Sequence, residues 1–93
     1  MNTANLQLEG LIMAVSALAD ALVAKGVLSH LEVTAAFGTA EESVERGDRR
    51  DLSGANHAAT LFPIRVLLLA RQASNRGERF TFSEYAEIVG KLT

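Results

Sequence analysis

Cysteine and histidine, two residue types that often carry catalysis or bind metals, are absent or rare in this sequence. The chain has no cysteine, which excludes disulfides, thiolate nucleophiles and cysteine-based metal sites. His30 and His57 are its only imidazoles, and neither has a second histidine or an acidic residue at the spacing of a metal motif such as HExxH. We therefore predict no metal site and no cofactor site.

The serines and glycines also lack the spacing of a catalytic or phosphate-binding motif. No serine lies in a GxSxG elbow, and the glycines form neither GxGxxG nor GxxxxGK[ST]. Ser29 and Ser83 lie at or beside predicted helix starts, where their hydroxyl groups cap the backbone. The pattern predicts no catalytic residue and favours a protein that is not an enzyme.

Two polar strips on predicted helices offer a different chemistry. They consist of Glu9, Ser16 and Asp20 on the first helix, and of Arg65, Gln72 and Arg76 on the third. If the strips face each other, carboxylates meet guanidinium groups in a polar seam. Such a seam either fixes the register of the two helices or binds an anion. We favour the structural role, because a helical domain this small has little room for an enclosed binding site.

The first helix, predicted over residues 6–25, is the element around which the chain is organised. Its larger apolar residues recur at steps of three and four, the spacing of one helical face. They are Leu8, Leu11, Val15, Leu18 and Leu22, and a row of small residues lies almost opposite: Gly10, Ala14, Ala17, Ala21 and Ala24. A helix that is apolar on nearly all sides is usually buried or shared with a partner.

A signal peptide or membrane-spanning segment is not expected at this end of the chain. The first ten residues carry no basic side chain, which a signal peptide requires. Asp20 interrupts the apolar pattern, whereas a spanning helix needs about 20 predominantly apolar residues. We expect a cytoplasmic protein that does not bind a membrane.

Local signals place the remaining helices. Ser29 to Glu32 and Thr81 to Glu84 have the capping-box pattern, which predicts the starts of the second and fourth helices. Pro63 lies within the most apolar run, where proline removes a backbone donor and kinks a helix. The predicted helices are near 6–25, 30–46, 55–75 and 82–91. Together they indicate a single all-α domain over residues 1–93: a compact four-helix bundle-like fold of two helical hairpins, with the third helix kinked at Pro63 and a short C-terminal helix.

One apolar core is expected to join these helices. Its predicted members are Leu11, Val15, Leu18, Leu22, Phe37, Val44, Phe62, Val66, Leu69, Tyr85 and Val89. Four helices of this size lack the material to cover the second faces of the first and third helices, and exposed apolar patches usually mark interfaces. A symmetric homodimer, or a larger assembly, is therefore predicted, with an interface that comprises Gly10, Ala14, Ala17, Ala21, Leu61, Ile64 and Leu68.

Three functions remain open from the sequence. The favoured one is a non-enzymatic module for protein–protein interaction or self-association. The second is a small ligand-binding or enzymatic domain with an intersubunit site lined by Arg65, Arg71 and Arg76. The third is a DNA-binding regulator, which the net charge of −2 and the acidic residues of the second helix disfavour, because phosphates would repel them.

Overall fold

The computed structural model describes residues 3–47 and 54–92 of the chain. These residues form four helices: α1 Thr3–Ala24, α2 His30–Gly47, α3 Gly54–Asn75 and α4 Phe82–Leu92. Within these two ranges there is no strand. The predicted all-α, four-helix arrangement is confirmed, and each observed helix overlaps its predicted range.

The helix starts are determined by hydrogen bonds close in sequence. The backbone N–H of Ser29 donates to the Glu32 carboxylate at 2.8 Å, and the N–H of Glu32 donates to the Ser29 hydroxyl at 3.0 Å. Thr81 and Glu84 make the same reciprocal pair at the start of α4, with distances of 2.8 and 3.2 Å. Both predicted capping boxes are thus formed, and each satisfies two N–H groups that a helix end leaves free.

Gly26 reverses the chain between α1 and α2. It has a φ of 73°, in the left-handed region that favours glycine. The N–H of Gly26 donates to the Val23 carbonyl, and the N–H of Val27 donates to the Leu22 carbonyl, both at 3.0 Å. These bonds satisfy the last carbonyl groups of α1, so the helix ends here and α2 can start a few residues later.

The central element is α3, which packs against each of the other three helices. It is continuous through Pro63, so the proline does not break it, and the size of any kink there stays a prediction. Its inward side supplies half of the main core cluster, which comprises Ile12, Val66, Ala70, Ala73, Tyr85 and Val89. Phe62 and Phe82 join α3 to α4 by an edge-to-face ring contact, with ring centroids 6.3 Å apart.

The prediction of which α1 face enters the core was wrong. Leu11 and Leu18, expected inside, are 62% and 61% exposed, whereas Ile12 and Ala19 are buried. Each buried residue follows an exposed leucine by one position, which is a rotation of about 100° around the helix axis. Val15 and Leu22 lie between the two directions and are half-buried.

The small side chains of α3 account for this rotation. Ile12 packs into a cluster to which Ala70 and Ala73 contribute, and alanines allow a neighbouring helix to approach closely. Asp20, next to Ala19, forms an ion pair with a buried arginine of α3, and this contact turns the same side of α1 inward. Of the other predicted core residues, Val66, Tyr85 and Val89 are buried, while Phe37, Val44, Phe62 and Leu69 are half-buried.

Candidate functional site

A polar junction joins α1, α2 and α3 at Arg71. The Arg71 side chain is only 5% exposed. Its Nη1 donates to Asp20 Oδ1 of α1 at 2.9 Å, and its Nε donates to Nδ1 of His30, the first residue of α2, at 3.2 Å. Nδ1 of His30 is the acceptor in this contact, so the imidazole supplies Arg71 with a second hydrogen-bond partner. The junction therefore satisfies a buried charge with one residue from each neighbouring helix.

Arg79 adds a second, weaker contact to the same carboxylate. Its Nη2 lies 3.7 Å from Asp20 Oδ2, and its side chain is largely exposed. Asp20 is thus bracketed by a buried guanidinium group and a solvated one. Since exposed ion pairs contribute little, Arg71 is the partner that holds Asp20 in place.

The predicted polar seam is formed by different arginines. Asp20 lies in it, but its partners are Arg71 and Arg79. Arg65 contacts Glu41 of α2 at 3.5 Å and Arg76 contacts Glu78 at 2.7 Å. Gln72 is exposed, while Glu9 and Ser16 are half-buried on α1.

Arg71 was not predicted to belong to the polar seam, although its position in the sequence indicated that it is buried. It lies three and four residues after Leu68 and Leu67, and therefore falls within the apolar part of α3. A charged residue in such a position is buried only when it is paired. Asp20 was the matching acidic residue inside the apolar pattern of α1.

Two cavities adjoin the junction. One, of about 300 Å³, is lined by Asp20, Arg71, Glu78 and Arg79 among others, and a smaller one of about 70 Å³ lies beside Tyr85. The larger has two cationic and two anionic side chains in its wall, so its charges balance. Among the described residues no group of three or more His, Asp or Glu side chains is placed to hold a metal ion. The arrangement thus fits a structural tie between helices better than a ligand site.

The outward side of α1 is apolar and is not covered by any other part of the chain that the structure describes. It carries four large exposed apolar residues, Leu6, Leu11, Met13 and Leu18. By length and composition alone α1 is apolar enough to cross a membrane, and only 11% of the residues in its most apolar 18-residue window are buried. A helix so apolar and so little covered is unusual on a soluble monomer.

The predicted interface residues divide between this side and the interior. The four small residues of α1, Gly10, Ala14, Ala17 and Ala21, are exposed among the large apolar ones. Leu61 is fully buried within the chain, so its assignment to an interface was wrong. Ile64 and Leu68 are half-buried on α3. The candidate interface therefore reduces to the outward side of α1.

An apolar groove between α1 and α2 extends this surface. It encloses about 140 Å³ and is lined by Val15, Leu18, Ala19, Leu22, Leu28, Val33, Ala36 and Phe37. Leu18 belongs both to the groove and to the outward side of α1. The two features thus form one continuous apolar surface, which we call the α1 surface.

Comparison of the chain with family models, with curated proteins and with solved structures gave no match.

Proposed function

We propose that this chain is a non-enzymatic helical module that self-associates through the α1 surface. The observation that carries the proposal is the exposure of Leu11 and Leu18 at the centre of a helix that is apolar on nearly every side. The α2 and α4 helices pack mainly on α3, as α1 does, so the described part of the chain offers no further element to cover these leucines.

Burial of the exposed leucines favours association. Leu11 and Leu18 are 62% and 61% exposed, and a two-fold contact would bury both leucines of both copies. Since fully burying an exposed leucine is worth roughly 1.5–3 kcal/mol, the four side chains together contribute roughly 4–7 kcal/mol toward the entropy lost on association.

A second copy fits the α1 surface better than a lipid bilayer does. Helices that lie on membranes usually place Lys and Arg beside their apolar face. Residues 3–24, which form α1, include no Lys or Arg; Lys25 comes directly after the helix, and the chain carries a net charge of −2. Spanning is disfavoured because Asp20 of α1 is tied to buried Arg71. The exposed residues include many alanines, which suit close packing against another helix.

The alternative of a ligand-binding or enzymatic domain rests on the cavity beside Arg71 and Arg79. That site has weaker support, since Asp20 already supplies both Arg71 and Arg79 with the carboxylate that a bound anion would replace. DNA binding is disfavoured by Glu32, Glu41, Glu42 and Glu45, which all lie on α2.

Light scattering on the purified chain tests the proposal. At tens of micromolar we expect the mass of a dimer or larger species. Leu18→Glu should give a monomer with unchanged helical content, because the charge falls within the contact. Leu31→Glu is the matched control: Leu31 is 75% exposed but lies on α2 outside the α1 surface, so this variant should associate as the parent does. A monomeric parent chain would overturn the proposal.

A further inference from the structure

The exposed residues at the centre of α1 alternate in size along one line. Leu11, Ala14, Leu18 and Ala21 follow one another at steps of three, four and three, and all four are exposed. This is the heptad spacing of a coiled-coil seam, in which leucines occupy one of the two seam positions and alanines occupy the other. Gln7 and Lys25 continue the line at its two ends and are also exposed, so the apolar seam is bounded by polar residues.

The alternation favours antiparallel pairing of two identical seams. In antiparallel packing each layer combines the first seam position of one helix with the second position of the other, so every layer holds one leucine and one alanine. In parallel packing the layers alternate between two leucines and two alanines, which require different separations within the usual 8–10 Å between helix axes. Large residues facing small ones give an even, close contact, and the helix dipoles of an antiparallel pair attract each other.

One register matches all four positions. We infer that α1 of one copy packs antiparallel on α1 of a second copy, around a two-fold axis at the level of Ser16. Leu18 then faces Ala14 of the second copy, and Leu11 faces Ala21. At the ends of the seam, Lys25 faces Gln7. A shift of one heptad toward the N-terminus would leave Leu18 facing Gln7, and a shift in the other direction would leave Leu11 beyond the end of the second α1. Either change buries a polar group or leaves a leucine exposed.

This inference rests on the proposed self-association and adds the orientation and register of the two copies. The isologous contact closes after two copies, so it predicts a dimer and not a filament. It also places the apolar groove that includes Phe37 beside the paired helices, where the second copy covers part of its opening.

Disulfide trapping tests the register, because the chain has no cysteine of its own. Full-length Ala14→Cys and Leu18→Cys are mixed in equal amounts under mild oxidation, and the products are identified by their masses. The mixed disulfide should exceed each homodisulfide by about tenfold, since a bridge needs Cβ atoms about 4 Å apart. Two copies of residue 14 would be offset by roughly 6 Å along the helix axis in addition to their lateral separation.

A second pair and a control make the outcome decisive. Leu11→Cys with Ala21→Cys should form the same excess of mixed disulfide, which keeps the test valid if one variant folds poorly. Leu31→Cys, exposed but outside the seam, should not cross-link with any of them above the background of random collisions.

Each other result overturns the register in a recognisable way. Dominant homodisulfides of Ala14→Cys would show a parallel pair, while the proposed self-association would stand. A dimer by light scattering without cross-links at either pair would place the contact elsewhere on the chain. A monomer by light scattering would overturn the proposed function as well. Co-sedimentation of the parent chain with anionic phospholipid vesicles, without dimerisation, would assign the α1 surface to a membrane.

Discussion

Arg71 shows how this small domain tolerates a charge in its interior. Removing a guanidinium group from water costs several kcal/mol, and that cost is offset only by good geometry and full hydrogen bonding. Here Asp20 supplies the counter-charge at 2.9 Å and His30 supplies a second acceptor at 3.2 Å. Because the three residues come from three helices, the junction stabilises one relative arrangement of those helices and disfavours others.

Removing the charge of Asp20 tests the junction at the residue level. Asp20→Asn keeps the size and one acceptor oxygen but leaves Arg71 buried without its counter-ion. We expect the free energy of unfolding to fall by roughly 2–3 kcal/mol, measured by urea denaturation. Glu42→Gln is the matched control, since it removes an exposed ion pair with Arg46 and should change stability by less than about 0.5 kcal/mol. Equal losses in the two variants would mean that Arg71 gains no more from Asp20 than a surface pair does.

The sequence allowed the importance of Asp20 to be predicted but not the identity of its partner. An acidic residue within an apolar helix predicts a basic residue opposite it, and α3 offers several arginines. To identify which of Arg65, Arg71 and Arg76 pairs with Asp20, one must know how α3 is rotated about its axis relative to α1. Periodicity within one helix contains no information about that rotation.

The rotation of α1 is the point at which element-level prediction failed. Its rows of large and small apolar residues satisfy the helical period equally well, so the pattern does not select a core face. Because leucines are larger, the leucine row was predicted to enter the core. In the structure the alanines of α3 pack against the other side of α1, which carries Ile12 and Ala19. The capping boxes at Ser29 and Thr81 were predicted correctly, because their donors and acceptors lie within four residues of each other.

Two alanine substitutions on adjacent residues test this orientation of α1. Ile12→Ala should cost roughly 2–5 kcal/mol of unfolding free energy at any protein concentration, because it leaves a cavity in the core. Leu11→Ala should cost less than about 0.5 kcal/mol at concentrations where the chain is monomeric, since an exposed side chain has little to lose. Both substitutions are measured by chemical denaturation in the Leu18→Glu background, which is expected to keep the chain monomeric. The reverse order of effects would place the leucine row inside and contradict the structure.

At the scale of the whole molecule, the fold class followed from composition and periodicity. Many alanines and leucines, one proline and four apolar stretches with helical spacing leave few architectures besides a helical bundle. The extent to which α1 is buried could not be predicted in the same way, because it depends on how much of its surface the other three helices cover once they have packed. That balance leaves the seam that contains Leu11 and Leu18 exposed, and it connects the packing of one chain to the proposed pairing of two.

Coupling between folding and association predicts a stability that depends on concentration. If two copies bury the α1 surface, unfolding also separates them, and mass action raises the melting temperature with protein concentration. For two chains of 93 residues unfolding together, the expected rise is about 4 °C for each tenfold increase in concentration. Calorimetric or circular-dichroism melts between a few and a few hundred micromolar measure this slope. Leu18→Glu should reduce it to less than about 1 °C, whereas Leu31→Glu, which keeps the α1 surface intact, should preserve it. A parent chain whose melting temperature stays constant over that range does not couple folding to pairing, and the α1 surface would then need another partner.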